Sequence, residues 1–377
     1  MARRMRGAVA AMLALVSADA GVAQGTAHPA ATLVDRVELS SDGFDPAFGG
    51  ISGIAYDRRH RTWLLLSDDR SDHAPARVYT AKIDPSARGR WRVSQRRRVV
   101  LRDGQGNAFP AAGQHREAVD PEAIRVASDS SVLWTSEGDA KDGYGPAVRR
   151  MDRRGRTIAT VALPANLRFD PSGKHGTRDN LTLEGTDFTP DGATWLAMEG
   201  PLIQDGLPAG DDRPALVRFT RLADGGARQF VYPLDAVPAS VRGKPADNGV
   251  SEILAVDDRR MLVLERSGAR NAGGQYHFHC RLYLADFDRA SDVGAIASLE
   301  GADIVPATKK LVFDFDDLPA SPGNLEGMAW WPSTRGRQDR IVLVNDNNFV
   351  AGEPTRLLLL ALLPDALRPP AKGTCCR

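Results

Sequence analysis

One pattern returns five times along the chain, and it restricts the fold more than any other feature. A carboxylate or serine, usually a glycine, a short apolar run, a tight polar turn, a second apolar run and a closing carboxylate span 52–69, 122–139, 184–200, 252–267 and 326–347. The copies begin 70, 62, 68 and 74 residues apart. A period of this size marks a repeat architecture in which each unit buries its faces against its neighbours.

Within each unit the segments read as strands and almost nothing reads as helix. In the first, 53–56 and 63–67 are apolar runs joined by Asp57-Arg58-Arg59-His60-Arg61, 78–83 alternates, and 91–101 follows a Pro/Gly turn. Short strands at regular spacing with turn signals between them predict an all-β fold. Four strands per unit fit a propeller blade slightly longer than the usual repeat, so the expectation is a β-propeller of five four-stranded blades, with a sixth left open. Residues 355–363 supply a third strand to the last unit, and 33–39, ahead of the first unit, return as its fourth, closing the ring with both termini. At 377 residues the chain suits two domains or one large repeat fold. The period favours one propeller over 31–365, followed by a tail at 366–377.

The N-terminus reads as a signal peptide over 1–23. Arg3, Arg4 and Arg6 precede an apolar stretch at 7–18, with Ala18-Asp19-Ala20 as cleavage site and Gly21-Val22-Ala23 as runner-up. That stretch is short of the roughly 20 residues a membrane span needs, and no later apolar run reaches that length. The expectation is an exported, periplasmic or secreted monomer with no membrane span, by a general or twin-arginine route. The 49 basic and 48 acidic residues leave +1, without the basic excess of a nucleic-acid partner. In an oxidising compartment Cys280 has two readings, a bridge to Cys375 or Cys376 or a buried thiol.

Loop lengths separate the two ends of the blades. Links such as 189–194 and 256–260 are short, whereas 103–121, 165–180, 201–214, 238–249 and 267–275 are long and rich in Gly, Pro and Asp. Long polar loops on a rigid scaffold are where sites usually sit. The start of a first strand and the end of a second are neighbours in an antiparallel hairpin. Glu122 is therefore expected beside Glu137, Glu184 beside Glu199, Glu252 beside Glu265, and Glu326 beside Asp346, while Ser52 faces Asp68 and Asp69. Inner strands line a propeller channel, so these acids converge on one mouth. Crowded carboxylates repel and are driven to protonate unless a cation relieves them, and Ca²⁺ accepts roughly 6–8 oxygen ligands. Asp68, Glu122, Glu137, Glu184, Glu199, Glu252, Glu265, Glu326 and Asp346 are the expected metal ligands. The other reading makes the acids turn caps or partners of Arg70, Arg125 and Arg266.

Gly53, Gly185 and Gly327 either let backbones approach a crowded centre or mark strand starts. Asn180, Asn248 and Asn324 add oxygens or form turns. Lys174, His175 and Arg178, before Glu184, suit a phosphate-bearing substrate, as do Arg70 and Arg266; a solvated loop is the other reading of the first three. Gly50-Ile51-Ser52-Gly53 lacks the strand-to-helix context of a nucleophile elbow. His277 and His279 share one strand face and are expected to point to solvent.

The motifs GGISGIAYD with SDDR, DPEAI with WTSEGD, LEGTDF with AMEGPL, VSEILAVDDRRMLVLERSG, and NLEGMAWWP with LVNDNNF resemble the phytase-like family, "esterase-like activity of phytase", over 49–349. The resemblance implies an exported propeller hydrolase of phosphoesters or carboxylic esters and names no nucleophile. Ser52 departs from a full ring of acids. The function expected is a calcium-dependent hydrolase of small phosphate esters, with Glu137, Glu184 and Glu199 catalytic. The alternatives are a ligand-binding or scaffolding propeller and a carboxylic esterase or lactonase.

Overall fold

The computed structural model describes residues 30–39, 44–85, 91–241, 243–271, 273–274, 276–333 and 339–368. The signal-peptide reading of 1–23 and the pairing of Cys375 and Cys376 lie outside them; Cys280 is a buried free thiol.

The five repeats form five antiparallel sheets of four strands each. Blade 1 holds β2 (Ile51–Asp57), β3 (Thr62–Ser67), β4 (Arg77–Pro85) and β5 (Trp91–Val100); blade 2 holds β6 (Pro121–Val126), β7 (Val132–Ser136), β8 (Ala147–Met151) and β9 (Thr157–Val161). Blade 3 holds β10 (Leu183–Phe188), β11 (Thr194–Met198), β12 (Ala215–Ala223) and β13 (Gly226–Leu234). Blade 4 follows with β14 (Ala246–Ala255), β15 (Arg260–Arg270), β16 (Tyr276–Asp286) and β17 (Thr308–Asp314). Blade 5 takes β18 (Asn324–Trp330), β19 (Arg340–Asp346) and β20 (Thr355–Leu362) from one terminus and β1 (Ala31–Leu39) from the other. The expected closure is therefore present, with five blades among the described residues. Among the described residues the only helical turns are short 3-10 segments.

The first strands β2, β6, β10, β14 and β18 pack side by side in that order and back to β2, forming the wall of the channel. Their approach is close enough to need glycine: a Cβ on Gly53 would stand 2.6 Å from the Glu122 carbonyl oxygen, and one on Gly327 2.6 Å from that of Ser52. The apolar core lies between neighbouring sheets. Ile124, Trp134 and Leu66 join blades 1 and 2, Trp195, Phe230 and Phe287 join blades 3 and 4, and Leu282, Leu343 and Leu358 join blades 4 and 5. Buried arginines tie the long loops to this frame. Arg77 pairs with Asp69 at 2.5 Å, and Arg218 with Asp205 at 2.6 Å, all four side chains fully buried.

Candidate functional site

Each first strand carries a bulge near its start, and in blades 2, 3 and 5 the bulge presents an acid to the mouth on the long-loop side. Leu183 pairs with Met198 and Gly185 with Ala197, which leaves Glu184 unpaired; the same slip isolates Glu326 in blade 5 and Ser52 in blade 1. A bulge re-aims a side chain out of the ladder. On each second strand the residue one beyond the partner of the last position before the bulge completes the set: Asp68, Glu137, Glu199 and Asp346.

Blade 4 corrects the expectation. There Val250 pairs with Glu265 and Glu252 with Leu264, so the bulged residue is Ser251, and the position equivalent to Glu199 belongs to Arg266. Ser251 and Ser52 play matching parts: Ser52 Oγ donates to the carbonyls of Pro121 and Glu122 at 3.0 Å, and Ser251 Oγ to that of Leu325 at 3.2 Å, each spanning to the next blade. Glu252 and Glu265 are not at the mouth. Glu252 stands in the slot that glycine fills elsewhere and meets Arg125, Nη2 to Oε2 at 3.0 Å. Glu265, fully buried between blades 3 and 4, accepts from the Tyr232 hydroxyl at 2.7 Å and from Asn248 at 3.0 Å, beside Lys309.

The mouth is a cavity of about 430 Å³ lined by eleven acids, among them Asp68, Asp120, Glu122, Glu137, Glu184, Glu199, Glu326 and Asp346, against Arg70, Arg266 and His73. Three triads place one carboxylate oxygen from each member within 4.8 Å of the others: Asp68, Glu326 and Asp346; Asp120, Glu122 and Glu137; and Glu137, Glu184 and Glu199. Glu137 belongs to two of them. Arg266 reaches Glu199 at 2.7 Å and Glu326 at 3.8 Å, while Arg70 lies 3.6 Å from Asp120 and 3.2 Å from Asp139. Asn324 donates to Glu326 at 2.8 Å and Asp346 at 3.3 Å, and the Thr182 backbone N–H donates to Glu137. Asp69, taken by Arg77, braces the turn beside the mouth and offers it no free oxygen pair. Below the triads the channel is closed by Arg125. Its guanidinium donates to the carbonyls of Ile124 and Ile253 at 2.7 Å and meets Asp187 at 3.2 Å.

Burial and mutual repulsion shape the electrostatics. Burial first, then Glu184, Asp120 and Glu137, hold the Glu122 carboxyl well above its ordinary range; Asp68, Asp120 and Glu184 are raised for the same reasons. Burial pushes Glu199 and Glu326 up to about 8 against the pull of Arg266, and Asp346 up to about 6 against its hydrogen bonds. Glu137 is raised by burial although Thr182 opposes it. The donor set is all carboxylate oxygen, and Glu326 Oε2 is buried without a hydrogen-bond partner among the described residues. Such a set fits a hard, oxygen-binding divalent cation.

Lys174, His175 and Arg178 do not line the cavity. Lys174 and His175 are exposed, His175 near Asp170, while Arg178 is spent on the carbonyls of Pro201 and Gly206 at 3.2 and 2.7 Å, stitching one loop to another. Asn180 lines the mouth; Asn248 does not, being bound to Glu265 and Ser267. His277 is exposed as expected, but His279 is buried against Asp314 and Ser240. Sequence reasoning missed Asp120, which stands just ahead of β6, two residues before Glu122 in Asp-Pro-Glu, and lines the same mouth. It also missed the aromatic rim, where Tyr276 stacks on Phe278 at 5.6 Å and His73 on Phe349 at 4.2 Å between ring centroids.

No curated protein matches the chain. Among solved structures it is similar to a thermostable family-43 glycoside hydrolase, at 9% identity and a TM-score of 0.45 over 83% of this chain and 89% of that one. It is also similar to the catalytic domain of a GH62 alpha-L-arabinofuranosidase from Coprinopsis cinerea, at 11% identity and a TM-score of 0.40 over 88% and 98%. Likeness at this level carries no inference about chemistry. The sequence itself matches a family over residues 46–349, the stretch that builds all five acid-bearing hairpins. The chain belongs to the phytase-like family, described as "Esterase-like activity of phytase".

Proposed function

We propose that the acidic mouth is the active site of a calcium-dependent hydrolase of small phosphate esters, working outside the cytoplasm as a monomer. The observation that carries the reading is the pair of carboxylate triads sharing Glu137, opposite a lone arginine that blade 4 supplies where the other blades supply an acid. Asp120, Glu122, Glu137, Glu184 and Glu199 would hold the cations on one side, and Asp68, Glu326 and Asp346 on the other. A hard divalent cation, when bound, supplies Lewis-acid activation and a water of lowered pKa.

The remaining chemistry belongs to the side chains. Arg266 and Arg70, from separate blades, offer guanidinium forks to the non-bridging phosphate oxygens, the geometry that arginine recognises best. Arg266 also keeps Glu199 Oε1 oriented at 2.7 Å, leaving Oε2 to face the cations. Arg125 seals the channel floor, so substrate enters and product leaves by the same mouth. With Asp69 taken by Arg77, the other lining acids still far outnumber the two arginines and the histidine beside them. That imbalance counts against a purely scaffolding role for the ring.

The test is phosphate release from 4-nitrophenyl phosphate and from inositol phosphates, with calcium and with chelator, for the wild type and Glu137→Gln. Calcium-dependent release that Glu137→Gln abolishes is the expected result. Equal, negligible rates in calcium and in chelator across the panel would sink the enzyme reading.

A further inference from the structure

A second chemically capable cluster lies on the same long-loop side, at the blade 3 face of blade 4. The loop after β13 crosses that face and presents Ser240 on an exposed turn. Opposite it, β16 carries His279, whose residue is only 6% exposed. Ser240 Oγ stands 2.7 Å from His279 Nδ1, and His279 Nε2 stands 2.7 Å from Asp314 Oδ1. Asp314 ends β17 and is itself oriented, because the same Oδ1 accepts the Asp316 backbone N–H at 3.0 Å. A hydroxyl within reach of an imidazole, and that imidazole held by an oriented carboxylate, is the arrangement that activates a serine.

We propose that Ser240, His279 and Asp314 form a serine-nucleophile relay that hydrolyses small carboxylic esters, an activity separate from the acidic mouth. A carboxylate only accepts, so Asp314 places the ring proton on Nε2 and leaves the Nδ1 lone pair for the serine hydroxyl. In the first step Ser240 Oγ bonds to the acyl carbon while its proton passes to Nδ1. The tetrahedral adduct collapses, the ester C–O bond breaks, and the departing alkoxide takes that proton to leave as alcohol. Water then gives a proton to Nδ1 and its hydroxide adds to the acyl carbon. The Oγ–acyl bond breaks with the proton returned to Oγ, releasing the carboxylic acid. No oxidant, reductant or metal enters the balance.

Two neighbours define the site further. Asp316 Oδ2 lies 3.2 Å from the same Nδ1, so it stabilises the imidazolium formed in each step and also competes with Ser240 for the resting ring. Its side chain is the more exposed of the two acids, 38% against 28%, which weakens that competition. Val237, Pro238, Ala239 and Val241, on either side of Ser240, wall an adjoining surface cleft that Asp211, Lys244 and Arg270 also line.

The experiment uses the full chain, a fluorophosphonate probe with peptide mapping, and 4-nitrophenyl acetate hydrolysis in the presence of chelator. An adduct on Ser240 is expected, together with a loss of roughly 100-fold in acetate hydrolysis for Ser240→Ala. Ser240 is exposed, so this variant should keep the wild-type melting temperature. Calcium-dependent phosphate release should be unchanged in Ser240→Ala, and acetate hydrolysis unchanged in Glu137→Gln, which separates failure of one site from failure of the other. Asp316→Asn, which removes the carboxylate that stabilises the imidazolium, should label several-fold more slowly at an unchanged melting temperature, a response that a structural contact would not give. No adduct on Ser240 under conditions that fully label a serine esterase overturns the proposal, as does acetate hydrolysis that survives Ser240→Ala.

Discussion

Arg125→Met tests whether the channel floor is held by one buried guanidinium. The side chain is 6% exposed and donates to the carbonyls of Ile54, Ile124 and Ile253, from blades 1, 2 and 4, at 3.3, 2.7 and 2.7 Å. It also meets Asp187 of blade 3 and Glu252 of blade 4. Methionine fills a similar volume but strips two buried carboxylates and three carbonyls of their donor. Removing one partner of a buried ion pair costs about 3–5 kcal/mol. With an unfolding entropy of roughly 0.7 kcal/mol/K for a chain of this length, that is a fall in melting temperature of about 4–7 °C. Burial already holds Glu252 up to about 8 in the folded state, above its ordinary 4.5. A carboxyl raised on folding stabilises at low pH and loses that contribution as pH rises through its folded value. The defect should therefore be largest near pH 8 and shrink toward pH 5, where the stripped carboxyl takes up a proton. Adding Glu252→Gln and Asp187→Asn removes the unpaired charges and should recover more than half of the loss. Calorimetry across that pH range measures both. A shift under about 1 °C for the single variant, or a triple variant as destabilised as the sum of its parts, would refute the reasoning.

The mouth makes a related prediction without mutation. Burial raises Asp346 to about 6, and burial with crowding raises Glu199 and Glu326 to about 8, from ordinary values of 3.8 and 4.5. In chelator the melting temperature should fall as pH rises from 5 to 9, and calcium should flatten that slope; parallel curves with and without calcium would count against a metal at the ring. Cys280 supplies the third test. Burial pushes its thiol up to about 12, so it should resist disulfide reagents in the native protein and react in denaturant. Rapid native labelling mapped to Cys280 would contradict its place in the core.

The ring was legible because its information is periodic: five hairpins with acids at matching points imply both closure and convergence. Blade 4 was misread because two substitutions hide its register. Glu252 occupies a glycine slot and imitates a leading acid, while Glu265, one residue early, imitates a trailing one. Aligning Val-Ser-Glu-Ile at 250–253 with Ile-Ser-Gly-Ile at 51–54 would have exposed Ser251 and Arg266. The channel floor was not legible at all, since Arg125 collects partners from four blades and no local spacing records such a meeting. The same holds for Ser240, His279 and Asp314, where a loop turn, a mid-strand residue and a strand end meet on one face of blade 4. Lys174, His175 and Arg178 looked like substrate ligands because proximity in sequence to Glu184 is not proximity to its carboxylate.

The join in blade 5 carries a consequence for how the chain reaches its native state. Glu38 on β1 and Arg356 on β20 lie 318 residues apart yet bond at 3.1 Å, and eight residue pairs align the two strands. Blades 1 to 4 each assemble from contiguous sequence, so their hairpins form as soon as they are made. The fifth waits for the final strand, and until then β1 has no sheet to join. Long-range pairing of this kind is slow, because the closure entropy must be met before any contact rewards it. The acidic mouth, which draws on every blade, can become whole only when that last strand docks. Synthesis of the site is thus tied to completion of the chain: a truncated product would hold separate carboxylates but no ring.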